Sequence, residues 1–374
     1  MVKTTNMYIP LKRVDISDKT YHGMKDHLNA SAIKDFYNDR YKFYRKNILG
    51  ETVVEKKSTE TIIGDMVHAL LAENGDYDSK FTMASVREPS GQMMELVQAL
   101  YNRTLKSRDG DGAITEPFSN LFQDAVNYVK YDYDGTEIAF KGKTLEKIVT
   151  MFQEVDKRTG ACAELYYKEL LANTGKTVIT ESQGIRAEKT YQRLKEHPYT
   201  FSIVNMRTEG VDVYKEEVIL FEIQGIGKCR AKLDLIHVDH NSKTIQPYDY
   251  KCTWTAEDGL EYSYLKNMYY IPAAFYHVAL VKWIENTELK DYKVLPMIYI
   301  AIDPAGDGDP ILYPLTIQDL GYAYNGFTLQ TGKRYKGVKE LLHEIEWHLE
   351  TGIWTRSYES NVNNGIVPLN VNYK

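Results

Sequence analysis

Residues 229–252 read CRAKLDLIHVDHNSKTIQPYDYKC, two strand-like runs separated by a polar pentapeptide. Cys229 to Val238 and Thr244 to Cys252 have the make-up of adjacent strands, and Asp239-His240-Asn241-Ser242-Lys243 that of the turn joining them. Side chains at i and i+2 of a strand share a face, so Asp249 and Lys251 point the same way. A hairpin then brings Asp234 beside them. Two carboxylates and an ammonium at one point suit a hard divalent cation held through oxygen, which activates water toward a phosphodiester. On that basis Asp234 and Asp249 hold the ion, with the main-chain carbonyl of Tyr250 as a further ligand. Lys251 places positive charge near the attacking water or the transition state. The ordinary alternative is a set of strand-end charges forming a surface ion pair.

Working outward, Val218 to Ile223 is a strong β run ahead of this pair, and Val294 to Ile302 and Ile311 to Leu315 follow it. A helix is expected over 32–47 with Ser31 as N-cap, a second over 61–73, and a long one over 260–285. Residues 85–172 carry several helical patterns cut by glycine turns, a helical elaboration of the fold. Gly175 to Ile179 suggests an edge strand, followed by helices over 182–195 and 337–350. The first twenty residues have the character of an arm. Strands interleaved with helices give an α/β (α+β) fold, a mixed central sheet flanked by helices. The expected organisation is a single domain over 1–374 with its strand-rich centre at 211–315.

The chain has 374 residues, a hydrophobic fraction of 43% and a formal net charge of −6. Such a balance excludes a uniformly basic, histone-like binder but not a nuclease, because DNA follows local basic strips. Cys162, Cys229 and Cys252 form no CxxC pair, so no zinc motif is visible. No signal peptide opens the sequence, and no apolar run approaches the roughly 20 residues of a membrane span. The expectation is a soluble, cytoplasmic protein of a bacterium or a phage-infected cell, with no membrane partner.

The Asp…Asp-X-Lys arrangement resembles the core of the PD-(D/E)XK nuclease superfamily, and its surroundings resemble the RecE-like, RecB-type phage exonuclease branch. Gly64-Asp65-Met66-Val67-His68 looks like that branch's glycine-to-histidine helix motif. The entry segment Leu28 to Lys34, the helix motif Tyr269 to Tyr276 and the tail Gly352-Ile353-Trp354 fall in the branch's order. The resemblance implies a restriction-endonuclease-like core, with His68 as a metal ligand and Tyr276 facing the cleft as a member of the catalytic set. It also implies a glutamate near the strand before Asp234, matched better by Glu217 than by Glu222. Magnesium is the implied cofactor, and manganese should serve well if His68 ligates, since imidazole is a poorer partner for magnesium. An exonuclease on double-stranded DNA ends, a homo-oligomer and a single-strand annealing or binding partner are further implications. Three dispersed cysteines do not supply the four-cysteine iron–sulfur site of some relatives.

One position departs from the branch. Pro272 stands where a glutamine is usual, and proline offers no side-chain hydrogen bond and breaks a helix interior. A catalytically inactive DNA-binding or scaffold protein of the same fold is therefore the competing reading. A nuclease for single-stranded ends or flaps is a third. Lys34 to Lys46 interleaves bases with aromatic residues, and Gly332-Lys333-Arg334-Tyr335-Lys336 is a second basic cluster. Either could follow phosphates and stack on bases. For the first, the stronger reading is an amphipathic helix with its rings in the core. Gly142-Lys143-Thr144 and Gly175-Lys176-Thr177 lack the earlier glycine of a phosphate-binding loop, so no ATPase is indicated.

Overall fold

The computed structural model describes residues 16, 18–50, 58–73, 76–132, 134–254, 256–285 and 287–367. The expected N-terminal arm lies mostly outside them. The chain divides into two compact units, Met1–Val53 with Thr190–Lys374, and Val54–Lys189.

The first unit is built on a mixed sheet. Its strands are β1 (Val211–Ile223), β2 (Gly227–Asp239), β3 (Thr244–Cys252), β4 (Lys293–Val294), β5 (Ile298–Ile302) and β6 (Ile311–Pro314). The order is β1-β2-β3-β5-β6, with β4 also beside β3. The first three strands form an antiparallel meander through tight turns. At the β2–β3 turn, the Asp239 carboxylate accepts from the N–H groups of Asn241 and Ser242 at 2.8 and 3.2 Å. After β3 the chain returns in parallel register, setting Asp249 beside Tyr299, and a parallel return needs a helical crossover. The expected Val294–Ile302 strand is broken into β4 and β5. The gap falls beside Gln246 and Pro247, where proline has no N–H to give a ladder, and the Gln246 side chain bonds the Pro296 carbonyl at 2.8 Å instead.

Three helices frame the sheet: α1 (Ala30–Asn38), α2 (Tyr270–Ile284) and α3 (Val338–Thr351). Every residue of α2 is at least partly buried, as expected of a largely apolar helix packed into a core. Its Ile271, Ala274, Phe275, Ala279 and Leu280 share one core with Ile219, Phe221, Leu233 and Ile236 of the sheet. Ile33 and Phe36 of α1 and Leu341 and Ile345 of α3 enter the same core. Trp354, 7% exposed, stacks on His348, Phe43 and Tyr44.

Two helix expectations are corrected. The helix expected over 32–47 begins at Ala30, capped by Asn29 rather than Ser31, and stops at Asn38. Asp39 then caps a new turn by accepting from the N–H groups of Tyr41 and Lys42, an alternative that short acidic side chains offer the backbone. The helix expected over 260–285 is two, Leu260–Lys266 and α2, separated at Asn267–Tyr269, with Met268 in the left-handed region at φ 51°. Pro272 therefore lies in the first turn of α2, where its missing N–H has no intrahelical partner to lose. It does not interrupt the helix.

The second unit has its own core. Helices Gly91–Lys106, Phe118–Lys130, Leu145–Gln153 and Ala163–Ala172 bury Leu96, Leu100, Phe122, Phe152 and Tyr167 together. Strand Thr177–Ile179 pairs in parallel with Phe81–Met83. Residues 85–172 fall within this unit, as does the helix Thr59–Ala72 that carries His68. No helix among the described residues is long and apolar enough to cross a membrane.

Candidate metal centre

Asp234 sits where the β2–β3 ladder ends. Pairing runs from Asp239 opposite Thr244 up to Leu235 opposite Tyr248, and one more step sets Asp234 beside Asp249. There the side chain replaces the ladder: Asp234 Oδ2 accepts the Tyr250 N–H at 2.9 Å. This bond fixes Asp234 against the next strand and orients the peptide that joins Asp249 to Tyr250.

Asp249 and Lys251 share a face of β3, and the two side chains form a close ion pair. Asp249 is 4% exposed. Burial by itself would lower the Lys251 ammonium, but the Asp249 and Asp234 carboxylates outweigh it and hold Lys251 above the ordinary lysine range. Lys251 Nζ also lies 5.2 Å from the ring centre of Tyr269, 5.8 Å from that of Tyr299, and 3.2 Å from the Tyr250 carbonyl. The lysine is thus a fixed, charged group rather than a swinging surface side chain.

On β1 the residue that meets this constellation is Glu216, where sequence matching favoured Glu217. Lys215 opposes Leu235 and Glu217 opposes Leu233, so the register sets Glu216 across from Asp234. Their carboxylates offer oxygens within 4.8 Å of each other. Glu216 adopts φ 51°, a left-handed conformation that a non-glycine residue enters at a cost of about 1–2 kcal/mol. The alternation of β2 shifts at the same level: Cys229, Ala231 and Leu233 enter the core below it, Ile236 and Val238 above it. Simple period-2 counting through β1 gives no warning of that shift, which is why Glu216 escaped a sequence reading. Glu216 also pairs with Lys232 at 2.5 Å, two residues before Asp234 on β2.

Tyr276 projects from the second turn of α2. Burial, and then the nearby Tyr21, Asp249, Asp234 and Glu216, push its phenol well above the ordinary range. It stays protonated and able to donate a hydrogen bond at any physiological pH. His68, by contrast, belongs to the second unit, half-buried on Thr59–Ala72 between Val67 and Ala69.

Neither basic cluster of the sequence is a bare strip of positive charge. Asp35 takes Lys42 and Lys46 at 3.4 and 2.8 Å. Arg334 pairs with Glu340, and Lys336 with Glu344 at 2.5 Å. Within the second cluster, Arg334–Tyr335 pairs antiparallel with Phe327–Thr328.

No family model matches the chain, and no curated protein matches it. Among solved structures the chain is similar to a protein from Eubacterium rectale described as a "Putative exonuclease", at 12% identity and a TM-score of 0.41 over 95% of this chain and 89% of that one.

Proposed function

We propose that this chain is a metal-dependent deoxyribonuclease of the PD-(D/E)XK type, acting on the ends of double-stranded DNA. The observation that carries this is the meeting of Asp234, Asp249, Glu216 and Lys251 at one point of a buried sheet. Three carboxylates there face a lysine that is held charged.

Glu216 and Asp234 are residues of a kind that could bind a metal ion. The donors fit a hard cation: carboxylate oxygens predominate, as magnesium and manganese prefer. Asp234, Glu216, Asp249 and the Tyr250 carbonyl would hold it, and His68 is the nitrogen ligand assigned from its sequence motif. When bound, a divalent cation lowers the pKa of water and stabilises charge on phosphorus oxygens. The chain's own groups do the rest. Lys251, kept protonated by Asp249, presents positive charge to the water and to the phosphorane-like transition state. Asp234 holds the Tyr250 peptide in place. Tyr276 donates a hydrogen bond to a phosphate oxygen without itself ionising. Hydrolysis is in line and leaves no covalent intermediate. Magnesium or manganese, a homo-oligomer and a single-strand annealing partner complete the assignment.

Incubation of end-labelled linear duplex with the purified protein in magnesium, manganese or EDTA tests this. Label loss should require metal and fall by about a thousandfold in Lys251→Ala and in Asp249→Ala. Intact duplex, flapped and single-stranded DNA with the manganese-loaded wild type would leave a DNA-binding scaffold of the same fold as the answer.

A further inference from the structure

A second lysine reaches the same point from far away in the sequence. Lys34, on α1, donates to the Asn267 carbonyl at 3.1 Å across 233 residues, and its Nζ lies 5.8 Å from the ring centre of Tyr269. Lys251 approaches the same ring at 5.2 Å. Both the acceptor and the ring belong to the Asn267–Tyr269 break between helices, which the left-handed Met268 creates.

The two ammonium groups differ in what balances them. Lys251 has Asp249 as its ion-pair partner. Lys34 makes no salt bridge among the described residues. Its neighbour Asp35 is taken by Lys42 and Lys46. Two cations on one phenol ring repel each other, and of the two it is Lys251 that Asp249 pairs with. Burial and then Lys251 lower the Lys34 ammonium to about 8, against the pull of Asp249 and Asp35. An anion arriving between them would relieve that repulsion.

We propose that Lys34 is a second phosphate-binding lysine of this site, contacting a non-bridging oxygen of the DNA backbone while Lys251 stays with Asp249. The proposal rests on the nuclease assignment for the identity of the anion. A hydrogen bond from a positioned ammonium to phosphate is a strong, charge-assisted contact. It adds to affinity at every sequence alike, because a backbone contact reads no base.

The test is binding of a fluorescent duplex by anisotropy in EDTA, over a salt series, for wild type, Lys34→Ala, Lys34→Gln and Lys34→Arg. Thermal melting of each variant establishes that it is folded. Alanine and glutamine should weaken binding about tenfold and reduce the slope of log K against log salt by about one, while arginine stays near wild type. In cleavage assays the loss should fall on KM more than on kcat. Unchanged affinity and slope in both neutral variants, or an arginine variant as weak as alanine, would overturn the proposal. A wild type that cleaves DNA while the neutral variants bind normally sinks this inference alone. Slope changes without metal-dependent cleavage sink the nuclease assignment alone, and a wild type that does neither sinks both.

Discussion

Two charge clusters in the first unit each pair a base with an acid and behave differently. At the sheet centre, Lys251 and Asp249 have side chains 19% and 6% exposed. In the Phe327–Tyr335 hairpin region, Arg334 and Glu340 are 46% and 37% exposed. Arg334 meets Glu340 of α3 in water, where such a pair contributes about 0.5 kcal/mol and salt screens it. The sheet charges lie where water is largely excluded, so each alters the protonation of its neighbours. Reactive chemistry needs the second situation, because only there is a charge both fixed and felt.

The largest effect that would sharpen this contrast is at Glu216. Glu216→Gln keeps the strained backbone and removes the charge; Glu216→Asn also suits a left-handed φ better. Both should lower metal-dependent cleavage by about a hundredfold, with the asparagine variant within about 1 kcal/mol of wild-type stability by chemical denaturation. A cleavage rate unchanged in both variants would remove Glu216 from the site and restore Glu217 to consideration.

A second test concerns a buried ionisable group on the same strand as Asp234. His237 is 5% exposed against Tyr248, and burial, opposed only by a backbone bond with Ile203, lowers it to about 4. Its native pKa lies below the unfolded value of about 6.5, so the unfolded chain takes up the proton first. The contribution of His237 is therefore whole above pH ~6.5 and is lost as pH falls toward 4, by roughly 3 kcal/mol at most. The urea midpoint of wild type should fall relative to that of His237→Phe as pH falls across that window. A difference that stays constant with pH would mean that His237 is accessible to protons in the folded state.

The smallest effect belongs to the hairpin. Lys333→Ala and Arg334→Ala should change DNA affinity by less than about threefold, since the first sits over Tyr335 at 4.8 Å and the second is paired. A tenfold loss in either would break the comparison and make this cluster a phosphate track.

Much of the sheet was legible because strand signals are local. The turn at 239–243 and the limits of β3 follow from alternation and from turn-forming residues, and period 2 puts Asp249 and Lys251 on one face. Helix interruptions were less legible. Nothing in the apolar pattern of 260–285 announces the left-handed Met268, and Asp39 looked like one more polar position on a helix until its side chain was seen capping the next turn.

The sequence by itself determined the β2–β3 hairpin and the shared face of Asp249 and Lys251, properties of residues close in the chain. Tertiary structure alone decided that Glu216 rather than Glu217 faces Asp234, that Pro272 lies in a first turn without breaking its helix, and that Lys34 joins Lys251 at Tyr269. Each of these depends on a backbone twist or a contact between distant segments. Periodicity carries no information about where two elements will meet, because packing of whole faces, not local preference, sets that geometry.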